Sequence, residues 1–486
     1  MYYPSVEQIK EAIKNSSYKT APISMEIFSD TKTPIEVLRI LKNVYPHCFI
    51  LESLSNHEKS GRYTFLGFDP RLEITCINGE MKIGQSIFNT DNPSTYINKI
   101  INDNKSIKFE GLPPFSGGLV GYFSYDYLKY SEPSINLNAK DNEVFKDIDL
   151  MLFDKVIAFD NYKQKIILII NISLENLEVE YERGRIELNK MAELVENGLP
   201  LKDTKGKLKS DFKALFNYDE YCNMVKKAKY HITEGDIFQI VLSNRLEAEY
   251  EGSLFNVYRV LRTMNPSPYM FYISGMDVEI AGASPETLAK LENGTLYTFP
   301  LAGTRPRGKT EEEDKKLELE LLSDPKELAE HNMLVDLGRN DIGRISKFGS
   351  VTVEKYHSIE KFSHVMHIGS TVKGEILEDK TAMDAINAIL PAGTLSGAPK
   401  IKACQLINDL ENNKRGIYGG AIGYLDFTGN LDTCIAIRIV YKKNNKIFIR
   451  SGAGIVADSV PEKEYKECSN KVTAVVKAVK LAEEVL

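Results

Sequence analysis

The chain has 486 residues, 43% of them hydrophobic and 27% charged, with a formal net charge of −7. This is the make-up of a globular protein that buries one large core or two to three ordinary ones, and its negative charge gives no electrostatic reason to bind nucleic acid or an anionic membrane surface. No apolar run approaches the roughly 20 residues that span a bilayer.

In chain order, residues 5–14 and 34–44 read as helices, and short alternating apolar segments follow through residue 90. Residues 113–122, with Gly117, Gly118 and Gly121, read as a passage from loop to strand. Strands are expected around 147–159 and 165–172, then a long charged helix over 174–197. The basic, polar stretch 202–210 is the best linker, dividing an N-terminal region, 1–200, from a second domain, 211–486. A helix is expected at 218–234, then strands at 238–243, 269–274, 279–283 and 288–291. Helices recur at 317–323, 325–337 and 398–411. Strands near 350–356, 421–425, 433–440 and 446–450 precede a C-terminal helix over 461–485. Strands come in runs rather than in strict alternation with helices, so the expected class is α+β, with largely antiparallel sheets. The N-terminal Met1-Tyr2-Tyr3-Pro4 shows no basic-then-apolar signal pattern. Six cysteines (Cys48, Cys76, Cys222, Cys404, Cys434, Cys468) lack paired zinc or redox spacing and suggest reduced thiols in a cytoplasmic protein. The absence of Trp, against 25 Tyr and 21 Phe, is ordinary compositional drift.

Two Glu-x-x-Glu pairs carry the strongest chemical signal: Glu327/Glu330 and Glu464/Glu467. Residues three apart on a helix share a face, so each pair can aim two carboxylates at one point. Such pairs usually face solvent, but both of these sit in unusual company. The first leads into His331-Asn332-Met333-Leu334-Val335-Asp336-Leu337-Gly338-Arg339-Asn340-Asp341. The second follows Ser451-Gly452-Ala453-Gly454, which reads as a turn ahead of a Pro461-started helix, where backbone N–H groups can approach an anion. Four hard oxygen donors suit Mg²⁺, which keeps some waters and takes further ligands from an anionic substrate. A metal-assisted enzyme acting on a small carboxylate is expected.

Weaker signals accompany these. Gly303-Thr304-Arg305-Pro306-Arg307 sets a tight turn beside two arginines suited to carboxylates. Ser284-Pro285-Glu286 offers one carboxylate at a strand end, where burial can raise its pKa for general acid work. His364 and His367 lie three apart in a strand-like segment. Gly393-Thr394-Leu395-Ser396-Gly397-Ala398-Pro399-Lys400 is Gly-rich and opens a helix, but lacks the Walker spacing of a nucleotide site.

Together these blocks, with Gly235-Asp236-Ile237-Phe238-Gln239-Ile240-Val241-Leu242-Ser243, resemble the chorismate-utilising enzymes from about residue 218 to the C-terminus. Their joint occurrence in order is specific. Ile50-Leu51-Glu52-Ser53 and Gly61-Arg62-Tyr63 extend the resemblance into the first 200 residues, with Ile50 where Leu is usual, a change that conserves volume. The resemblance implies sheets packed as a sandwich with helices outside. Within the family, aminodeoxychorismate enzymes commonly have a nucleophilic Lys where Ala302 stands, and water-using enzymes have a Lys base where Gln239 stands. Ala has no such capacity, and neutral Gln positions ammonia rather than activating water. With the aminodeoxychorismate-forming branch and a non-catalytic tryptophan-binding regulator on the same fold as the alternatives, the chain therefore looks like the anthranilate-forming branch.

That branch implies chorismate and ammonia as substrates. It implies Mg²⁺ held by Glu330 and Glu467 with support from Glu327 and Glu464, Glu286 as general acid, and His367 near the ring carboxylate. It also implies that Tyr418 and Arg438 hold the enolpyruvyl carboxylate, and that Gly303, Thr304, Thr394, Gly452, Ala453 and Gly454 line the substrate. Asn265-Pro266-Ser267-Pro268-Tyr269-Met270, with Glu52 and Ser53, resembles an inhibitory tryptophan pocket. Nothing in the chain resembles a glutamine amidotransferase nucleophile, so a separate amidotransferase subunit is expected.

Overall fold

The Lys165–Ser173 strand carries five consecutive Ile or Leu residues at 166–170, a pattern that only a strand covered on both faces calls for. The computed structural model, which describes residues 2–14, 16–53, 61–202, 205–362 and 365–484, provides that cover. Ile166, Leu168 and Ile170 join a core shared with helices, whereas Ile167 and Ile169 point at a second sheet. The Tyr269–Ser274 strand of the same sheet repeats the division. Met270 and Tyr272 face helices, while Phe271 and Ile273 face the other sheet.

Among the described residues the two sheets contain 14 and 12 strands, paired in antiparallel ladders. Between them lies an aromatic core that includes Phe49, Phe65, Phe115, Phe153, Phe271 and Phe448. Helices Pro34–Val44, Leu177–Asn197, Phe255–Met264 and Pro461–Glu484 cover the outer face of the larger sheet. Pro93–Asp103, Pro325–Gly343 and Ala382–Ile389 cover the smaller one. The architecture is the expected α+β sandwich with helices outside.

Hydrogen bonding is continuous across the stretch read as a linker. Cys48–Glu52 pairs with Tyr269–Ser274, and Gly118–Phe123 pairs with Ala421–Asp426. Lys207–Leu208 itself adds a short strand to the edge of the larger sheet, pairing with Gln239–Glu251.

Several elements differ from the sequence reading. The apolar run 433–440 is two strands, Leu431–Ile435 in the smaller sheet and Ile439–Lys443 in the larger, so the chain changes sheet at 436–438. Residues 147–159 likewise form Ile148–Phe153 in one sheet and Lys155–Asp160 in the other. Gly452-Ala453-Gly454 is no turn. It lies inside the Lys446–Ile455 strand, with Gly452 opposite Ser243 and Gly454 opposite Val241. A strand carrying glycines reads as a turn in sequence, but here a side chain would collide: a Cβ on Gly452 would stand 2.7 Å from the Leu242 carbonyl oxygen. Helices Pro93–Asp103, Phe255–Met264 and Ala382–Ile389 were not anticipated. His364 and Val485 lie outside the described residues. All six cysteines are buried and free, and no helix among the described residues is long and apolar enough to cross a membrane.

Candidate active site

Glu286 follows the Glu279–Ser284 strand and is pinned by its backbone, whose carbonyl accepts from Ile435 N at 3.0 Å. Its carboxylate accepts a 2.9 Å hydrogen bond from Thr394 Oγ1. The residue as a whole is half-buried, but its carboxyl is enclosed, and burial pushes the pKa from the ordinary 4.5 up to about 7. The Thr394 bond and the positive charges of Arg438 and Lys471 offset part of that rise. A carboxyl that is substantially protonated near neutral pH is suited to donate a proton.

Thr394 is placed by the short 3₁₀ turn Gly393–Leu395, and Gly397-Ala398 then pairs antiparallel with the start of the Gln239–Glu251 strand. Gly397 has φ +146°, and a Cβ there would lie 2.2 Å from the Gln239 carbonyl oxygen, so only glycine fits. The Gly-rich loop is thus a close-packing device beside Glu286 rather than a phosphate cradle.

His367 projects from the Val365–Glu375 strand. Opposite it, the Leu301–Pro306 strand slips register between Ala302 and Arg305, which frees the Gly303 carbonyl to turn inward. His367 Nδ1 lies 2.7 Å from that carbonyl and 3.2 Å from Thr304 Oγ1. Since a carbonyl only accepts, Nδ1 carries the proton and Nε2 is left as the acceptor. Burial, then the nearby Arg438 and Lys471, hold the imidazole pKa down, keeping the ring neutral.

Arg438 stands at the sheet crossing with φ +52°. Among the described residues its guanidinium makes no ion pair or side-chain hydrogen bond, and it sits in the field of Glu286. An enclosed, unpaired guanidinium is a site for an anion. Tyr418 is buried beside the glycine strand, with its hydroxyl 3.2 Å from where a Gly452 Cβ would be.

Among the described residues, the Lys446–Ile455 strand beyond Phe448 has a ladder partner on one side only. Val241 N and Ser243 N bond away from that ladder, to Ser396 O and Glu411, so Gly454 and Gly452 opposite them also turn their peptide groups outward. Lys471 Nζ donates to the Gly452 carbonyl at 3.1 Å. Gln239 lies against the same strand, with Nε2 3.0 Å from a Gly454 Cβ position. Among the described residues its Oε1 is buried without a partner.

The Glu-x-x-Glu pairs lie on two helices, Pro325–Gly343 and Pro461–Glu484. They converge electrostatically. Burial and then Glu327, with Glu467 adding to it, raise the Glu330 pKa, and burial and Glu467 raise that of Glu464. Glu327 also meets Arg305 Nη1 at 3.3 Å, and Glu467 meets Lys471 Nζ at 2.8 Å. Among the described residues no three His, Cys, Asp or Glu side chains close on one point to hold a metal ion by themselves. Mg²⁺ does not require that, since it commonly takes one or two carboxylates and completes its shell with water and substrate oxygens. A self-repelling set of hard carboxylates fits that cation.

Lys471 was missed in sequence, although its position four residues after Glu467 puts it on the same helix face. A second omission is the clamp beneath the site. Arg415, 2% exposed, donates to Leu395 O at 2.6 Å, Val241 O at 2.7 Å and Glu411 Oε1 at 2.6 Å. Glu411 also accepts from Ser243 N at 2.8 Å and Arg450 Nη2 at 3.3 Å. One buried cluster therefore ties the Thr394 turn, the Gln239 strand and the glycine strand together. Arg415→Met is expected to lower unfolding free energy by about 3–5 kcal/mol, because it strands part of the buried Glu411 charge. Urea denaturation checks this, and an unchanged midpoint would contradict it.

The residues expected to hold tryptophan divide. Glu52 and Met270 are cross-strand neighbours on the helix-covered face of the larger sheet. There Glu52 is forked by Arg262, with Nε and Nη2 both at 2.8 Å, and accepts from Tyr258. Tyr269 instead sends its hydroxyl toward the other sheet, to Asp432 Oδ1 at 2.8 Å. Ser53 and Pro268 are half-buried.

Residues 46–477 match the model of the chorismate binding enzyme family. The chain is 45% identical to anthranilate synthase component 1 of Acetivibrio thermocellus over all of both chains. It is 45% identical to the Aquifex aeolicus protein of that name, covering 99% of this chain and 98% of the relative. The structure superposes on anthranilate synthase component I of Streptococcus pneumoniae with a TM-score of 0.78 at 39% identity, covering 92% of this chain and 99% of that one. It shares its fold, at 17% identity and a TM-score of 0.70, with the menaquinone-specific isochorismate synthase of Escherichia coli, covering 97% of this chain and 99% of that one. The chain belongs to the chorismate binding enzyme family, on the branch of the anthranilate synthase component 1 proteins.

Proposed function

We propose that this chain adds ammonia to C2 of chorismate with loss of the C4 hydroxyl, then eliminates pyruvate to leave anthranilate. The observation that carries the reading is Gln239, a neutral amide whose Oε1 is buried without a partner among the described residues. Such an acceptor can take an N–H from ammonia but cannot serve as the base that a water nucleophile needs. Ala302, 8% exposed on its strand, offers no nucleophile of its own. The names of the relatives support the same branch.

Glu286, protonated near neutral pH, donates to the departing C4 oxygen. His367 Nε2 then takes the proton from C2 as the C3–O bond breaks and the ring becomes aromatic. Arg438 and Tyr418 hold the enolpyruvyl carboxylate, and the outward N–H groups of Gly452 and Gly454 line the substrate with Gly303, Thr304 and Thr394. Glu330 and Glu467, supported by Glu327 and Glu464, would hold Mg²⁺, which supplies positive charge to orient the ring carboxylate.

Since the relatives are named component 1, we assign glutamine hydrolysis to a separate amidotransferase subunit. With ammonium and alkaline buffer, where free NH₃ is plentiful, the purified chain is expected to turn over chorismate. With glutamine alone it is expected to be nearly inactive, and glutamine-dependent turnover by the lone chain would overturn the assignment.

Tryptophan inhibition belongs to the same reading, through Ser53, Glu52 and the Pro268-Tyr269-Met270 segment. Linkage requires tryptophan and chorismate to weaken each other's binding equally, typically by about 1–3 kcal/mol. Calorimetry with each ligand in the presence of the other measures this, and independent binding would remove the proposal.

A further inference from the structure

Phe238 immediately precedes Gln239, and the two side chains have opposite fates: Phe238 is 71% exposed and Gln239 only 5%. Three more exposed apolar side chains, Tyr230 at 61%, Val460 at 40% and Ile401 at 38%, lie on segments near Phe238 in the fold. Local bonds draw their segments together. Phe238 N donates to Ala398 O at 2.7 Å, just ahead of the Lys400–Glu411 helix that carries Ile401. Asp236 holds His231, beside Tyr230, at 2.7 Å and Lys402 at 3.7 Å. Lys229 Nζ donates to Ser459 O at 2.6 Å, next to Val460.

Single exposed apolar residues are unremarkable, but a group of them on segments tied together marks an interaction surface. This one has an aromatic centre and a charged rim that includes Lys226, Lys227, Glu234 and Lys402, the anatomy of a protein interface. Its position is what names the occupant. Consecutive Cα atoms are about 3.8 Å apart and alternate side chains project to opposite faces. A protein seated on Phe238 is therefore separated from Gln239, whose Oε1 has no partner among the described residues, by little more than one strand backbone. No other buried unpartnered side-chain oxygen or nitrogen among the described residues adjoins this surface in sequence.

We propose that the surface around Phe238, Tyr230, Ile401 and Val460 docks the ammonia-releasing amidotransferase subunit, so that ammonia enters the site at Gln239. The proposal rests on the reading of Gln239 as the residue that meets ammonia. Delivery at this point keeps ammonia out of bulk water, where at neutral pH it would be protonated and lost as a nucleophile.

The test uses the full chain with the amidotransferase subunit of the same organism, and the variants Phe238→Asp and Tyr230→Asp, with Tyr162→Asp as a distant exposed-aromatic control. For the first two, the Kd for the subunit is expected to rise at least about tenfold, as for a truncated interface anchor. Glutamine-dependent anthranilate formation should fall with it, while ammonium-dependent formation stays within about twofold of the unmodified chain. The control should change neither. Wild-type subunit affinity in both variants would overturn the proposal. So would loss of self-association by sedimentation with subunit binding unchanged, which would make the patch an interface between copies of this chain. If one variant fails to fold, the other still decides. Absence of ammonium-dependent anthranilate formation in the unmodified chain would instead contradict the catalytic reading, and calorimetric binding of the subunit would still judge the surface.

Discussion

Glu286→Gln is expected to lower kcat by about 10²–10⁴, the usual contribution of a positioned general acid, with KM for chorismate changed much less. Glutamine keeps the shape and can still accept from Thr394 Oγ1, so what is removed is the transferable proton. The same variant should be more stable than the parent above neutral pH. Glu286 has its folded pKa raised from 4.5 to about 7, so the native state binds the extra proton between those values. Stability from this group is full below about 4.5 and declines as pH rises to about 7. A neutral amide escapes that decline. The Tm gain of the variant should thus be largest at pH 8, shrink through the window and vanish at pH 4. A variant with near-parental kcat would remove Glu286 from its role as acid, and a Tm gain that grew toward low pH would contradict the burial argument. At fixed free NH₃, activity of the parent should also fall as pH rises through about 7, because the acid form disappears.

Glu467→Gln is expected to weaken Mg²⁺ binding by at least about 10–100-fold, the loss typical of removing even an outer partner of a metal site. Activity should drop with it. Folding should be unaffected or slightly favoured, since Glu467 raises the carboxyl pKa of both Glu330 and Glu464 by repulsion. Its loss does leave Lys471 without one partner, but Lys471 retains the Gly452 carbonyl. Calorimetric Mg²⁺ titration in the absence of turnover reads the metal directly, and thermal unfolding reads the fold. Parental Mg²⁺ affinity in the variant, or full activity in excess EDTA, would remove the metal assignment.

The sequence showed most clearly those elements whose ends carry local chemistry. Pro34–Val44 begins on a Thr33 cap with proline in its first turn, and its bounds matched. Pro325–Gly343 starts the same way, on Asp324, but runs past the expected end because Gly338 packs inside it, where a Cβ would stand 3.0 Å from Thr298. Sheet crossings were illegible. The stretch Thr433–Val440 is apolar apart from Thr433 and Arg438 because both sheets bury it, and the crossing at 436–438 leaves no periodicity signal. Strand glycines misled for a related reason: Gly452 and Gly454 are small to let Gln239 and Tyr418 approach, which sequence cannot separate from a turn. The Glu pairs, Glu286 and His367 could be singled out from their blocks, but not their partners Thr394 and the Gly303 carbonyl, which only the fold supplies. The clamp of Arg415 and Glu411 was not, because its partners Leu395, Val241 and Arg450 are brought together only by the tertiary fold.

The most direct test of the catalytic account is NMR of the purified chain with chorismate, Mg²⁺ and ¹⁵N-ammonium. The account predicts anthranilate and pyruvate in equal amounts, with ¹⁵N on the ring carbon beside the carboxylate. A product with ¹⁵N opposite the carboxylate and the enolpyruvyl group retained, or isochorismate or salicylate formed without nitrogen, would contradict it.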